Sequence, residues 1–278
     1  MRRFLVGLVA LAAVACGPLN AASHPILAAA LKLRFTPGET ITYDLHLAQN
    51  LLSGGIPVKT DLTGTEVMKV LSVATDGTAT LNVTTQITGG TVNGKPLPSS
   101  MAGQTHSIQM TIAPDGRVTA GGVTISGGLQ SLGGTQLTSL LPPGKVKPGD
   151  KWTKDVSEAM PFGSGTLSIH TTNQFLRYET VAGVKYAVVS TTGKIPLNTT
   201  IDLSKLAALA GTSGSSALSG SATLAGTIDL NVTTWLNPTN GELHQMDDET
   251  TMNLTIEVPE VPTPIDLGGT QSLSLVRK

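Results

Sequence analysis

From about Leu31 to the end of the chain, apolar side chains recur at every second residue, and that spacing admits few folds. Ile41, Tyr43, Leu45 and Leu47 alternate with Thr40, Thr42, Asp44 and His46. Ala79, Leu81, Val83 and Ile87 alternate with Thr80, Asn82, Thr84 and Gln86. The period returns in Ile108-Met110-Ile112, Leu167-Ile169, Ile228-Leu230-Val232, Leu254-Ile256-Val258 and Leu273-Leu275. Successive side chains of a strand point to opposite faces, so this period puts apolar groups on one face and Thr, Asn and Gln on the other. An antiparallel sheet with one covered and one wet face reads this way.

The interruptions are turn chemistry. Asp76-Gly77, Asn93-Gly94, Asp115-Gly116 and Asn240-Gly241 supply the positive φ that tight hairpins need. Helical signal is confined to Thr135–Leu141, stopped by Pro142-Pro143, and to Leu203–Leu209. Gly121–Gly134, with six glycines, reads as a loop. The expected fold is all-β: an antiparallel sandwich or strongly curved half-barrel with one or two short helices, as a single domain over 32–278. The Ala113–Arg117 and Leu236–Glu242 hairpins repeat one device, and Thr80–Thr85 echoes Asp229–Thr234. These echoes allow two related halves, 32–142 and 143–276. A membrane-spanning barrel is not expected. It needs an aromatic girdle at each interface, and Phe, Tyr and Trp total nine.

The N-terminus reads as an export leader. Met1-Arg2-Arg3 is followed by twelve apolar residues, Phe4–Ala15, too few for a comfortable span of a core about 30 Å thick. Cleavage after Ala15 gives a signal peptide of 1–15, with an alternative end at Ala22. Cys16, the single cysteine, then stands where a bacterial lipoprotein carries its lipid, with 16–31 as a tether. A lone cysteine forms no disulfide within the chain. The expected address is the bacterial envelope, periplasmic or outer-surface, anchored through Cys16 or, alternatively, secreted and soluble.

Chemistry is sparse. The net charge of −1 gives no electrostatic footprint for nucleic acid. His24, His46, His106, His170 and His244 form no close metal-binding pair, and no zincin, Cys-x-x-Cys or phosphate-loop motif occurs. Neither catalytic residues nor a metal or other cofactor are expected. Asp247-Asp248-Glu249 is the one acidic cluster; alternation sends Asp247 and Glu249 to one face and Asp248 to the other. Asp247 and Glu249 could act as an acid/base or Ca²⁺ pair, but read first as solubilising charge on a strand. Pro148-Gly149-Asp150 suits a type II turn that delivers Trp152 to a new strand as a core anchor. Phe35-Thr36-Pro37-Gly38-Glu39 is its counterpart ahead of Tyr43.

These turns carry a resemblance. The Phe-x-Pro-Gly-Glu…Tyr opening, the Pro-Asp-Gly-Arg-Val hairpin, the Val-Lys-Pro-Gly-Asp-Lys-Trp centre and the Asn-Pro-x-x-Gly-Glu-Leu hairpin resemble a family of uncharacterised bacterial exported proteins and lipoproteins, over about residues 33–255. The resemblance brings no catalytic residues. More distantly, a curved sheet behind a lipoprotein-type leader is similar to the lipoprotein-localisation carriers, which implies bound acyl chains. The functional expectation is a non-enzymatic envelope scaffold that binds a protein or polysaccharide through its Thr-rich face. The alternative is a carrier of an apolar ligand, which requires an internal cavity.

Overall fold

A computed structural model describes residues 28–53, 55–98, 102–119, 139–159, 166–203, 220–259 and 261–278. The leader, Cys16, the Gly121–Gly134 loop, and the helix candidates apart from Ser139–Leu141 and Leu203, lie outside them. Ser139–Leu141 has no helical hydrogen bonding.

The first half contains β1 (Ala29–Ala30), β2 (Thr40–Ser53), β3 (Ile56–Val73), β4 (Ala79–Val92), β5 (Lys95–Pro96), β6 (Thr105–Ile112) and β7 (Val118–Thr119). The second contains β8 (Lys145–Val146), β9 (Lys151–Ala159), β10 (Thr166–Val181), β11 (Val184–Asp202), β12 (Ser221–Leu236), β13 (Leu243–Glu257) and β14 (Ile265–Arg277). The main sheet is antiparallel, in the order β7-β6-β4-β3-β2-β14-β13-β12-β11-β10-β9, with β5 hung on β4. Each half is a meander, and they join where β14 lies beside β2. The end strands β7 and β9 do not pair. The all-β antiparallel fold that the alternation implies is therefore present, as one sheet that does not close into a barrel, here called a half-barrel.

Side chains bridge the gap between its ends. Lys154 Nζ on β9 reaches Asp115 in the β6–β7 turn at 2.9 Å, and the Leu141 N–H donates to the Asp115 carbonyl at 2.8 Å. β1 pairs with β8, and Leu31 and Leu33 after it are buried. The last residues of the expected tether, through Leu31, are thus built into the fold, because Leu31, with Leu33 after it, packs into the core.

The two Pro-Gly turns are made with the same bonds. In one, the Glu39 N–H donates to Thr36 O and Gly38 N–H to Val70 O; in the other, Asp150 N–H donates to Lys147 O and Gly149 N–H to Phe175 O. In each, the acidic side chain accepts from the backbone N–H three residues earlier, Thr36 and Lys147 respectively. Gly149 has φ of +95°, as a type II turn demands. Trp152 follows, but is only partly buried: β9 is the outermost strand. Its ring packs against the core and its indole N–H donates to Leu140 O at 2.9 Å. The largest fully buried side chains are Tyr43 and Phe175.

Glycine kinks shape the sheet within its strands. Gly226 on β12 has φ of +138°, and an added Cβ would sit 2.1 Å from the Asn253 carbonyl oxygen of β13. Gly90 on β4 and Gly269 on β14 share this geometry. Only glycine allows the backbone to bend there against its neighbour.

Candidate functional site

Three places in the half-barrel hold polar chemistry. The first is its interior. Inward side chains form two apolar clusters, one around Tyr43, Met68, Phe175 and Met246, the other around Ile195, Ile228, Met252 and Leu254. Between them runs a buried polar belt: Thr171, Asn173, Thr191, Asp248, Thr250 and Gln271. It is largely self-satisfied. Thr191 donates to Asn173 Oδ1 at 2.6 Å, Asn173 Nδ2 donates to Thr171, and Gln49 donates to Gln271 at 2.7 Å. Asp248 accepts from Thr250. Burial raises its carboxyl to about 6. Glu66 on β3, opposite Tyr43, is buried in the apolar cluster region with one weak contact from Thr85; its Oε1 has no partner. Burial raises Glu66 to about 7, and burial also pushes the Tyr43 phenol far above its ordinary value. Both inner carboxyls are thus held toward the neutral form.

The second place is a cleft of about 480 Å³ at one end of the half-barrel. Ile41, Tyr43, Met68 and Ile112 supply apolar lining, and Arg277 lies between Glu242 at 3.2 Å and Glu39 at 3.8 Å. These ionic groups pair with one another, and Tyr43 donates its hydroxyl to Leu243 O.

The third is the outer face of β11–β14 and β2–β3. Trp235 stands between Val188 and Gln245 on neighbouring strands. Beside it the His244 ring stacks on Tyr186, centroids 4.5 Å apart and planes within 18°. Tyr186 and Val188 are buried although alternation turns them away from the core. From there a polar track runs across four strands. Gln245 donates to Asp247 Oδ2 at 2.9 Å and Ser274 donates to Asp247 Oδ1 at 2.6 Å. His46, the register partner of Ser274, bonds Asp61 at 3.3 Å.

No protein-family model matches this chain, and no curated protein matches it.

The acidic triplet divides between the two faces as alternation requires. Asp247 is half-buried in the track and Glu249 is exposed; Asp248 is buried in the belt. Phase accounts for this: Asp248 shares the even register of Met246, Met252 and Leu254. His46 and His170 are exposed and paired with Asp61 and Asp155. Ser274 takes Asp247 while His46 takes Asp61, so these neighbours form no serine–histidine relay of the kind nucleophilic catalysis needs. Among the described residues no three metal-ligating side chains converge. Glu66, the belt and the Trp235 face were not singled out by pattern; the first two interrupt apolar phases, and that interruption was the available signal.

Proposed function

We propose that this protein is a non-enzymatic scaffold of the bacterial cell envelope that binds its partner through the outer face of the half-barrel. One observation carries the reading: the inner face is filled. Side chains such as Leu81, Phe175, Val189 and Ile228 are at most 2% exposed, and the belt between the two clusters is bonded to itself. A carrier of acyl chains needs that space open. The outer face, by contrast, presents hydrogen-bonding groups and aromatic rings together.

Native mass spectrometry of the purified full chain tests this. The expected spectrum shows protein with no retained lipid mass beyond any N-terminal anchor; a copurified lipid released by organic extraction overturns the scaffold reading. The cleft beside Arg277 favours the carrier as the second reading, restricted to a ligand that 480 Å³ can hold.

Anchoring is the other half of the proposal, and it rests on Cys16 following the apolar leader. Cys16→Ser should move the protein from the membrane fraction to the soluble fraction, because stable anchoring needs several acyl chains at that residue. Wild-type protein that fractionates as soluble would refute it.

A further inference from the structure

We infer that the outer face centred on Trp235 binds a neutral polysaccharide chain. This rests on the scaffold reading and names its partner.

A sugar ring offers an apolar face of C–H groups and an edge of hydroxyls, so it is held by a flat ring beside hydrogen-bonding side chains. Trp235 provides the first. Its indole lies outside the core on the outer face of β12, partly exposed, and its N–H has no hydrogen-bond partner among the described residues. His244, partly exposed on β13, adds a second ring and is held in place by stacking on the buried Tyr186 ring of β11. Val188, the cross-strand partner of Trp235 on β11, is fully buried.

The hydroxyl-binding groups are next to the rings. Gln245 is the cross-strand neighbour of Trp235, and Asp247 follows on the same face of β13. Each Asp247 oxygen accepts one bond, from Gln245 or Ser274, and keeps a lone pair for another donor. Gln245 keeps its carbonyl oxygen as an acceptor. The track then crosses β14 and His46 of β2 to Asp61 on β3, three inter-strand steps or about 14 Å. A surface of that length holds several linked sugars rather than one.

Charge selects the kind of chain. Arg177, opposite Val188, is paired with Glu179, and Lys278 with Asp44. The track itself carries two carboxylates, the half-buried Asp247 and the exposed Asp61 bonded to His46, which repel nucleic acid and acidic glycans and accept from neutral hydroxyls. The loose triplet partner Glu249 lies further along the same face.

Affinity electrophoresis of the full chain in native gels tests the inference, with xylan, dextran, laminarin and hydroxyethylcellulose as probes and heparin as the acidic control. At least one neutral polysaccharide should retard the protein while heparin does not. Trp235→Ala should abolish the retardation, and Gln245→Ala and His244→Ala should weaken it at least threefold with unchanged thermal melting. In a Trp152→Phe background, the bound polysaccharide should change Trp235 emission. Retardation by none of the neutral polysaccharides, or retardation that survives Trp235→Ala in a folded protein, overturns the inference. Those outcomes leave the scaffold reading standing with a protein partner, whereas a copurified lipid removes that reading itself.

Discussion

Gly226→Ala should come close to unfolding the protein. At φ of +138° an alanine is strained, and its Cβ would lie 2.1 Å from Asn253 O and 2.9 Å from Leu254 Cα. Both contacts are backbone in the adjoining strand, so no side chain can swing aside. Strain at such a backbone costs roughly 1–3 kcal/mol. Forcing atoms into a packed site costs about as much again. The expected loss of about 4 kcal/mol is a large share of the roughly 5–15 kcal/mol that holds a domain together. Urea unfolding followed by tryptophan emission would show a collapsed midpoint. Gly144→Ala, where an added methyl meets nothing within 4 Å, should leave it nearly unchanged. Equal midpoints for Gly226→Ala and wild type would show that the sheet does not depend on this kink.

Stability should fall as pH rises from about 4 to about 7, the reverse of ordinary acid unfolding. Glu66 and Asp248 are raised by burial to about 7 and about 6. Across that window the folded chain holds protons that the unfolded chain has released, so stability is greatest below the unfolded values and declines as pH passes the folded ones. At about 1.4 kcal/mol per pH unit, each carboxyl accounts for about 3 kcal/mol. The neighbours do little to offset this for Glu66: Tyr43 faces it across β2 and Thr85 across β4, and neither is a cation. Asp115, held low by Lys154 and Arg117 against its own partial burial, works in the opposite sense at lower pH. Denaturant midpoints measured from pH 4 to 8 should decline for wild type. Glu66→Gln should flatten about half of the decline. A flat wild-type profile, or an unchanged slope in Glu66→Gln, would contradict the neutral-carboxyl picture.

How much of this was legible beforehand depends on which force set each feature. Period-two alternation is fixed by the pleat, so strands such as 40–53 and 243–257 could be read with their covered faces. Turn glycines were legible for a similar reason, since Gly38 and Gly149 sit in motifs whose geometry requires positive φ. The Gly226 kink was not: nothing local marks it, because the collision that forbids a side chain comes from β13, nearly thirty residues on. Trp152 looked like a central anchor because aromatics are scarce, yet strand order made β9 an edge and left the ring half covered. Strand order is a property of the whole chain. Alternation separated Asp248 from its two acidic neighbours, and keeping step with Met246 and Leu254 puts it inside.

The β2–β14 pairing sets the order in which the molecule can assemble. Within each meander, neighbouring strands are also neighbours in sequence and can zip up soon after they emerge. The seam in the middle of the sheet is different: Gln49 meets Gln271, and Tyr43 meets Arg277, across more than two hundred residues. Such distant partners find each other slowly. A chain threaded N-terminus first would present β2 with an unsatisfied backbone edge until β14 arrived, the kind of surface that invites strand exchange between copies. Refolding should accordingly show the pairings within each meander gaining protection from hydrogen exchange before the β2–β14 seam does. Loss of β14, residues 265–277, would split the sheet through its centre rather than fray its end.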